Sequence, residues 1–250
     1  MIKKILISLI LIIGIFIKTV YAAPNINDKK YIFDNTTFIG DSITVGLQNY
    51  VRNNNVELLN NSKFVAKVGS SINYAKNNFL KRCNTENIFI MLGINDMKSK
   101  ASIIIKNYKA LINKTKEKYA VQNIYIISIL PMTSKRESRN MNNEKIDEIN
   151  LELRMFADQE GITYLDIASV FKDENNNGHK KYYRDNYVHL NSAGYALFVQ
   201  ELENIFNSQI EELDSIDESE NYIDQDSTLI NNLLDYIYII LNYFQIKIDN

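Results

Sequence analysis

The sequence predicts an α/β protein with three layers, in which a central parallel sheet of about five strands lies between helices. Its short apolar runs are mostly continuous, which is typical of strands buried on both faces. Segments with helical spacing of apolar residues separate these runs, and this alternation favours a parallel sheet. The chain has 250 residues, of which 46% are hydrophobic, enough for one sizeable core.

The predicted elements follow one another along the chain. Strands are predicted at residues 37–39, 64–68, 88–92, 124–130 and 163–166. An apolar helix follows the first strand, and the clearest further helices are predicted at residues 99–119, 143–160 and 191–208. Ligands of such sheets bind beyond the carboxyl ends of the strands, so we expect the functional residues there.

Residues 1–22 have the order of regions found in a secretory signal peptide. Two lysines precede an uncharged apolar stretch over residues 5–17, and residues 20–22 (VYA) offer a small-x-small cleavage site. This stretch is shorter than the roughly 20 residues of a membrane span. We therefore predict cleavage after Ala22 and a secreted or extracytoplasmic protein, with an uncleaved anchor as the alternative.

The rest of the chain divides into three parts. Residues 23–210 contain the predicted α/β domain, and residues 211–228 are acidic and poor in core-forming residues, which predicts a solvated linker. Residues 229–250 are apolar again and predict a helix. That helix could dock on the domain, associate with another copy or lie on a membrane surface. Its interrupting polar residues argue against a membrane span.

Charge and cysteine content restrict the possible functions. The formal net charge is −2, so no attraction to nucleic acid is expected. Cys83 is the only cysteine, so no disulfide can form within the chain. We interpret Cys83 as an inert thiol, partly buried at a helix end.

A candidate nucleophile follows the first strand. Ser42 lies in the stretch IGDSITVGL, where the strand ends and a helix begins. A serine hydroxyl needs a base to take its proton, and histidine is the usual base near neutral pH. Of the two histidines, His179 lies in a polar loop, whereas His189 lies just before a predicted helix that Asn191 or Ser192 could cap. His189 is therefore the candidate base.

Further residues could complete such a site. Asp185 lies four residues before His189 and could orient its ring. The alternative is a solvated carboxylate that pairs with Arg184. Gly69 follows the second strand and its N–H could approach a ligand closely, while Asn95 follows the third strand and could point its amide into the same cleft. Ordinary turns are the alternative for both residues.

Four stretches in this order resemble the motifs of the SGNH, or GDSL-type, hydrolases. They are GDSIT at 40–44, VGSS at 68–71, LGINDM at 92–97 and DNYVHLNSAGY at 185–195, and the resemblance spans residues 36–208. It implies a flavodoxin-like domain that hydrolyses esters through an acyl-enzyme.

The resemblance also implies a role for each matching residue. Ser42 would be the nucleophile and His189 the general base. The N–H groups of Ser42 and Gly69 and the side chain of Asn95 would form the oxyanion hole. Asp41 and Asp96 would hold the loops in shape without reacting.

The position of the aspartate departs from the family pattern. The family commonly has it three residues before the histidine, where this chain has Asn186. Either Asp185 serves from one residue further away, or Asn186 occupies the position and holds the ring without stabilising its charge. We favour Asp185, because a short loop can present either residue.

These observations predict a secreted serine esterase with Ser42, His189 and Asp185 as catalytic residues and without a cofactor. An acetylated cell-wall or environmental glycan is the expected substrate, with a lysophospholipid or other lipid ester as the close alternative. A catalytically weak glycan-binding or surface-interaction module is the alternative from another class.

The stretch DENNNG at 173–178 matches the opening of a calcium loop, but Arg184 stands where that loop needs glutamate, so we interpret it as a surface loop.

Overall fold

Five parallel strands form one sheet in the computed structural model of the protein, which describes residues 29–118 and 123–208. They are β1 (Thr36–Gly40), β2 (Lys63–Ala66), β3 (Asn87–Met91), β4 (Asn123–Ile127) and β5 (Thr163–Leu165). Their order across the sheet is β2-β1-β3-β4-β5. This confirms the predicted parallel sheet. The predicted signal peptide, acidic linker and C-terminal helix (1–22, 211–228 and 229–250) lie outside the described residues.

Helices cover both faces of this sheet. They are α1 (Lys29–Asp34), α2 (Ser42–Asn54), α3 (Ile72–Asn78), α4 (Ala101–Lys118), α5 (Asn143–Glu160) and α6 (192–208). One core cluster joins Ile39 and Ile90 of the sheet to α3, α4 and α5. The other joins Phe38 and Phe89 to α1, α2 and α6. Neighbouring strand residues therefore point into different cores, which explains the continuous apolar runs and confirms the three layers.

Several predicted boundaries shift for physical reasons. The strand predicted at 64–68 ends at Ala66, because the chain turns outward and leaves Val68 66% exposed. The strand predicted at 124–130 ends at Ile127, since the Ile129 N–H donates to the Asn150 side chain at 2.8 Å. The helix predicted at 143–160 has the observed bounds of α5.

The sheet topology predicts which edge of the sheet binds a ligand. β1 connects to β2 on one side, while β3 lies on the other side of β1. Open parallel sheets bind ligands at the carboxyl edge where the strand order reverses in this way. Within the described part of the chain, no helix is long and apolar enough to cross a membrane.

Candidate active site

Ser42 is the first residue of α2 and follows β1 after one intervening residue. A tight bend joins the two elements: a Cβ on Gly40 would lie 1.8 Å from Thr44 Oγ1, so only glycine fits there. Asp41 caps the helix by accepting the Ile43 N–H at 3.0 Å. The N–H of Ser42 has no partner within the helix and lies at the positive end of its dipole. Both the hydroxyl and the N–H of Ser42 are therefore presented at the edge of the sheet.

His189 connects Ser42 to Asp185. Its Nε2 lies 3.1 Å from Ser42 Oγ, although 147 residues separate the two in sequence. Its Nδ1 contacts Oδ2 of Asp185. The three predicted catalytic residues thus form one continuous chain of hydrogen bonds, in the order that a serine nucleophile requires.

A tight turn explains why Asp185, and not Asn186, reaches the ring. The Oδ1 atom of Asp185 accepts the backbone N–H groups of Tyr187, Val188 and His189 at 2.9–3.2 Å. Asn186 has a left-handed backbone, with φ of 55°, and its carbonyl accepts the Thr133 hydroxyl. The left-handed backbone of Asn186 accommodates the extra residue between the aspartate and the histidine.

Asp185 is ionised at neutral pH. Partial burial raises its pKa, but the hydrogen bonds from His189 and from the backbone N–H groups of Tyr187 and His189 outweigh this, so that its pKa lies below the ordinary value. A carboxylate at Nδ1 holds the ring proton there. The Nε2 lone pair is then free to accept the proton of Ser42.

Asn95 links the loops that follow the first three strands. It lies in the short 3₁₀ helix Ile94–Asp96 after β3. Its Nδ2 donates to Asp41 Oδ2 at 3.1 Å and to the Ser70 carbonyl at 3.2 Å. Both amide hydrogens are thereby engaged, so Asn95 has to exchange one of these bonds before it can donate to an oxyanion. Its role as an oxyanion donor stays a prediction.

Gly69 presents its N–H at the turn between β2 and α3. Its φ is +74°, a conformation that favours glycine, and it is exposed. The turn is closed by the Ser70 N–H, which donates to the Lys67 carbonyl at 3.1 Å. Among the described residues we find no acceptor for the Gly69 N–H. This donor is therefore available to a ligand.

Two carboxyls support these loops, Asp41 buried and Asp96 partly buried. Asp41 is 2% exposed, and burial raises its pKa to about 7, against the Ile43 N–H, the charge of His189 and the Asn95 amide. Asp96 accepts the Ile72 N–H at the start of α3 at 3.1 Å, and burial raises its pKa as well. Both side chains hold helix starts and loops in place, as the family resemblance implied.

An open cleft of about 550 Å³ begins at Ser42 and His189. One wall is a face of α2, and the other is the segment that carries His189 and the start of α6. The remaining lining residues are Val45, Gly46, Asn49, Tyr50, Asn53, Asn54, Val68, Arg184, Leu190, Asn191, Ser192 and Tyr195. Ten of the fourteen lining side chains, including Ser42 and His189, carry a polar or charged group.

The cleft wall is the part of the site that the sequence analysis missed. Gly46 makes room for Tyr195, because a Cβ there would lie 1.8 Å from the phenol oxygen, which donates to the Ile43 carbonyl. Tyr50 stacks on Tyr195 with ring centroids 5.8 Å apart. Tyr50 is eight residues after Ser42 and Gly46 is four, a spacing that repeats on one helix face. This periodicity could have indicated the wall before the fold was known.

Other candidate residues lie away from this cleft. His179 accepts the Lys181 N–H at 3.5 Å and packs edge-on against Tyr182. Asp173 closes the predicted surface loop by accepting the N–H groups of Asn175 and Asn177. Cys83 is fully buried, not partly buried as predicted. No group of three or more acidic, histidine or cysteine residues in the described ranges could hold a metal ion.

The chain is similar to known proteins in sequence and in fold. Residues 38–197 match the model of the GDSL-like lipase/acylhydrolase family. No curated protein matches the chain significantly.

Solved structures share the fold. A candidate acylhydrolase from Bacteroides fragilis is 18% identical, with a TM-score of 0.61 over 75% of this chain and 99% of that one. A GDSL-like lipase from Bacteroides thetaiotaomicron is 16% identical, with a TM-score of 0.59 over 71% and 89%. An acetylxylan esterase from Geobacillus stearothermophilus, solved as a catalytic mutant, is 14% identical, with a TM-score of 0.53 over 68% and 93%.

Proposed function

Because the chain belongs to the GDSL-like lipase/acylhydrolase family, we propose that this serine ester hydrolase removes acetyl or other short acyl groups from glycans outside the cytoplasm. One observation carries the proposed mechanism: Ser42 Oγ lies 3.1 Å from His189 Nε2, and His189 Nδ1 contacts Asp185. A serine beside a base that a carboxylate orients is the arrangement that acyl transfer requires.

Acylation begins at Ser42. Its Oγ attacks the ester carbonyl carbon while its proton passes to Nε2 of His189. The carboxylate of Asp185 stabilises the imidazolium that forms. The N–H groups of Ser42 and Gly69 stabilise the oxyanion, and the Asn95 amide adds a third hydrogen bond if it leaves Asp41 or Ser70. His189 then gives its proton to the leaving alcohol.

Deacylation repeats these steps with water. Water enters the open cleft and loses a proton to Nε2 of His189 as it attacks the acyl-serine. The same N–H groups stabilise the second oxyanion, and collapse of this intermediate releases the acid and restores Ser42. All of these steps use side chains and backbone groups of this chain.

The polar part of the cleft lining supports a hydroxyl-rich substrate, while apolar atoms contribute more of the exposed lining surface. Asn49, Asn53 and Asn54 follow one another along the α2 wall. An amide both donates and accepts hydrogen bonds, as a sugar hydroxyl does. Tyr50 adds an aromatic side chain to the same wall. The acetylxylan esterase that shares this fold acts, as its name states, on an acetylated glycan, which adds support from a distant neighbour.

A lipid ester is the second candidate substrate. Val45, Val68 and Leu190 line the cleft, and Val68 is 66% exposed. An exposed apolar side chain beside the nucleophile could contact an acyl chain. The lipase among the structural neighbours is consistent with this alternative but shares only the fold.

The location of the enzyme is part of the proposal. Residues 1–22 have the composition of a cleavable signal peptide, with cleavage after Ala22. Expression of the full chain in a bacterial host, followed by fractionation and N-terminal sequencing of the protein outside the cytoplasm, tests this. A protein that keeps residues 1–22 in the membrane fraction would refute cleavage.

Hydrolysis of two chromogenic esters tests the reaction. The wild type should hydrolyse 4-nitrophenyl acetate faster than 4-nitrophenyl octanoate, and Ser42→Ala should lose turnover of both. Ser134→Ala is the matched control, because Ser134 is exposed and away from the cleft lining. Equal inactivity of wild type and Ser42→Ala would refute the proposal, and a preference for octanoate would favour the lipid ester. Release of acetate from acetylated xylan then tests the glycan.

A further inference from the structure

Arg184 is the single fixed charge among the described residues that line the cleft. The other lining side chains are neutral or titratable, and neither aspartate nor glutamate is among them. Arg184 is exposed, and it forms no ion pair with a carboxylate among the described residues. The cleft beside the nucleophile therefore carries a positive charge that no carboxylate of the described residues pairs with.

The neighbouring aspartate does not neutralise this charge. Arg184 and Asp185 are adjacent in sequence and could form a pair, but the carboxylate of Asp185 contacts His189 and accepts three backbone N–H groups. The backbone of Arg184 is held at the histidine, because its N–H donates to the His189 carbonyl at 2.8 Å. Arg184 and Tyr195 both line the cleft. Burial raises the pKa of Tyr195, and the positive charge of Arg184 opposes this rise.

We propose that Arg184 is a specificity-determining residue that binds a carboxylate or phosphate group on the alcohol portion of the ester. The planar guanidinium presents donors that match both anions with two parallel hydrogen bonds. This inference rests on the proposed function: an acetyl group is too small to fill a cleft of about 550 Å³, so the alcohol portion has to occupy it.

Aryl acetates that carry either an anionic or a neutral group on the alcohol portion test this role. The probes are 4-acetoxybenzoate and 4-acetoxyphenyl phosphate, which carry the anion on the alcohol portion, and the neutral methyl 4-acetoxybenzoate. The measured quantity is the ratio of kcat/KM for each anionic ester to kcat/KM for the neutral ester, compared between variants of the full-length protein. Comparison between variants removes the intrinsic difference in reactivity of the esters.

We expect Arg184→Gln to lower this ratio about five- to tenfold, the size of one partly exposed charged contact. Arg184→Lys should lower this ratio less than Arg184→Gln does, because lysine keeps the charge but lacks the planar guanidinium. Arg82→Gln is the control, since Arg82 is exposed and does not line the cleft, and its ratio should equal that of the wild type. The effect of Arg184 should weaken as salt rises from about 0.05 to 0.5 M.

Each outcome decides the proposal. A lower ratio for either anion in Arg184→Gln supports it, and the larger of the two effects identifies the preferred anion. An unchanged ratio, or an equal decrease in Arg82→Gln, overturns it. If the wild type hydrolyses the neutral ester and Ser42→Ala does not, the proposed function holds even where the Arg184 proposal fails. If the wild type hydrolyses none of the esters, both fail.

Discussion

Replacing Asp185 with asparagine tests the catalytic arrangement directly. An asparagine oxygen can still accept the three N–H groups that Oδ1 of Asp185 now accepts, so we expect the turn to persist. The other oxygen becomes an NH₂ group that faces Nδ1 of His189. Because two donors cannot share a hydrogen bond, the ring has to place its proton on Nε2, toward Ser42. His189 can then no longer accept the serine proton.

The exposure of the pair limits the size of the effect. In the serine-protease triad the same exchange lowers kcat by about 10⁴. Here the side chains of His189 and Asp185 are 33% and 28% exposed, so solvent screens part of the charge. We therefore expect Asp185→Asn to lower kcat by about 10²–10³.

Steady-state hydrolysis of 4-nitrophenyl acetate measures this loss, with circular dichroism to verify folding. Asn186→Gly is the matched control, because glycine adopts the left-handed backbone of Asn186 without strain. Its kcat should stay close to that of the wild type. A folded Asp185→Asn variant with wild-type kcat, together with an inactive Asn186→Gly variant, would refute the reasoning and make Asn186 the orienting residue.

Three further predictions concern the loops around the nucleophile. The pKa of buried Asp41 is raised to about 7, so its contribution to stability is complete below about pH 3.8 and is lost as the pH rises through about 7. The free energy of unfolding of Asp41→Asn should therefore rise relative to that of the wild type by up to about 4 kcal/mol over this range, as thermal unfolding at each pH measures. A difference that stays constant with pH would contradict the raised pKa of Asp41. Gly69→Ala and Gly161→Ala should each lose about 1 kcal/mol of stability, because φ is +74° and +63° and neither Cβ meets another atom. Alanine keeps the N–H but disfavours φ of +74°, so the turn should shift and move this donor in Gly69→Ala. Only Gly69→Ala should therefore also lose esterase activity, and equal kcat losses in the two variants would argue against Gly69 as an oxyanion donor. Asn95→Ala should lower kcat by about 10²–10³ while KM changes little, and a change in KM alone would contradict its role at the oxyanion.

Much of the fold was predictable because its signals are local. Both core faces require apolar residues from every buried strand, so β1 and β3 are recognisable as continuous runs. α5 was predicted with its observed bounds from the helical spacing of its apolar residues. In the structure Asn142 caps its start and Gly161 ends it with φ of 63°. The end of β4 was not predictable from such signals. It depends on Asn150, 21 residues away from Ile129, which takes the backbone N–H.

The chemistry of this protein is readable from residue types along the chain: a serine at the start of a helix, one suitable histidine, and glycine and asparagine after neighbouring strands. Residue type and chain order carry that information, because acyl transfer needs these groups at the carboxyl edge of a parallel sheet.

The three-dimensional fold sets which of these groups meet. It places His189 beside Ser42, although 147 residues separate them in sequence. The left-handed backbone at Asn186 lets Asp185 contact the histidine ring. The Asn95 amide donates to Asp41 and Ser70. The fold also leaves Arg184 in the cleft without an ion-pair partner among the described residues. Such contacts depend on packing between segments far apart in the chain, and local patterns do not encode them.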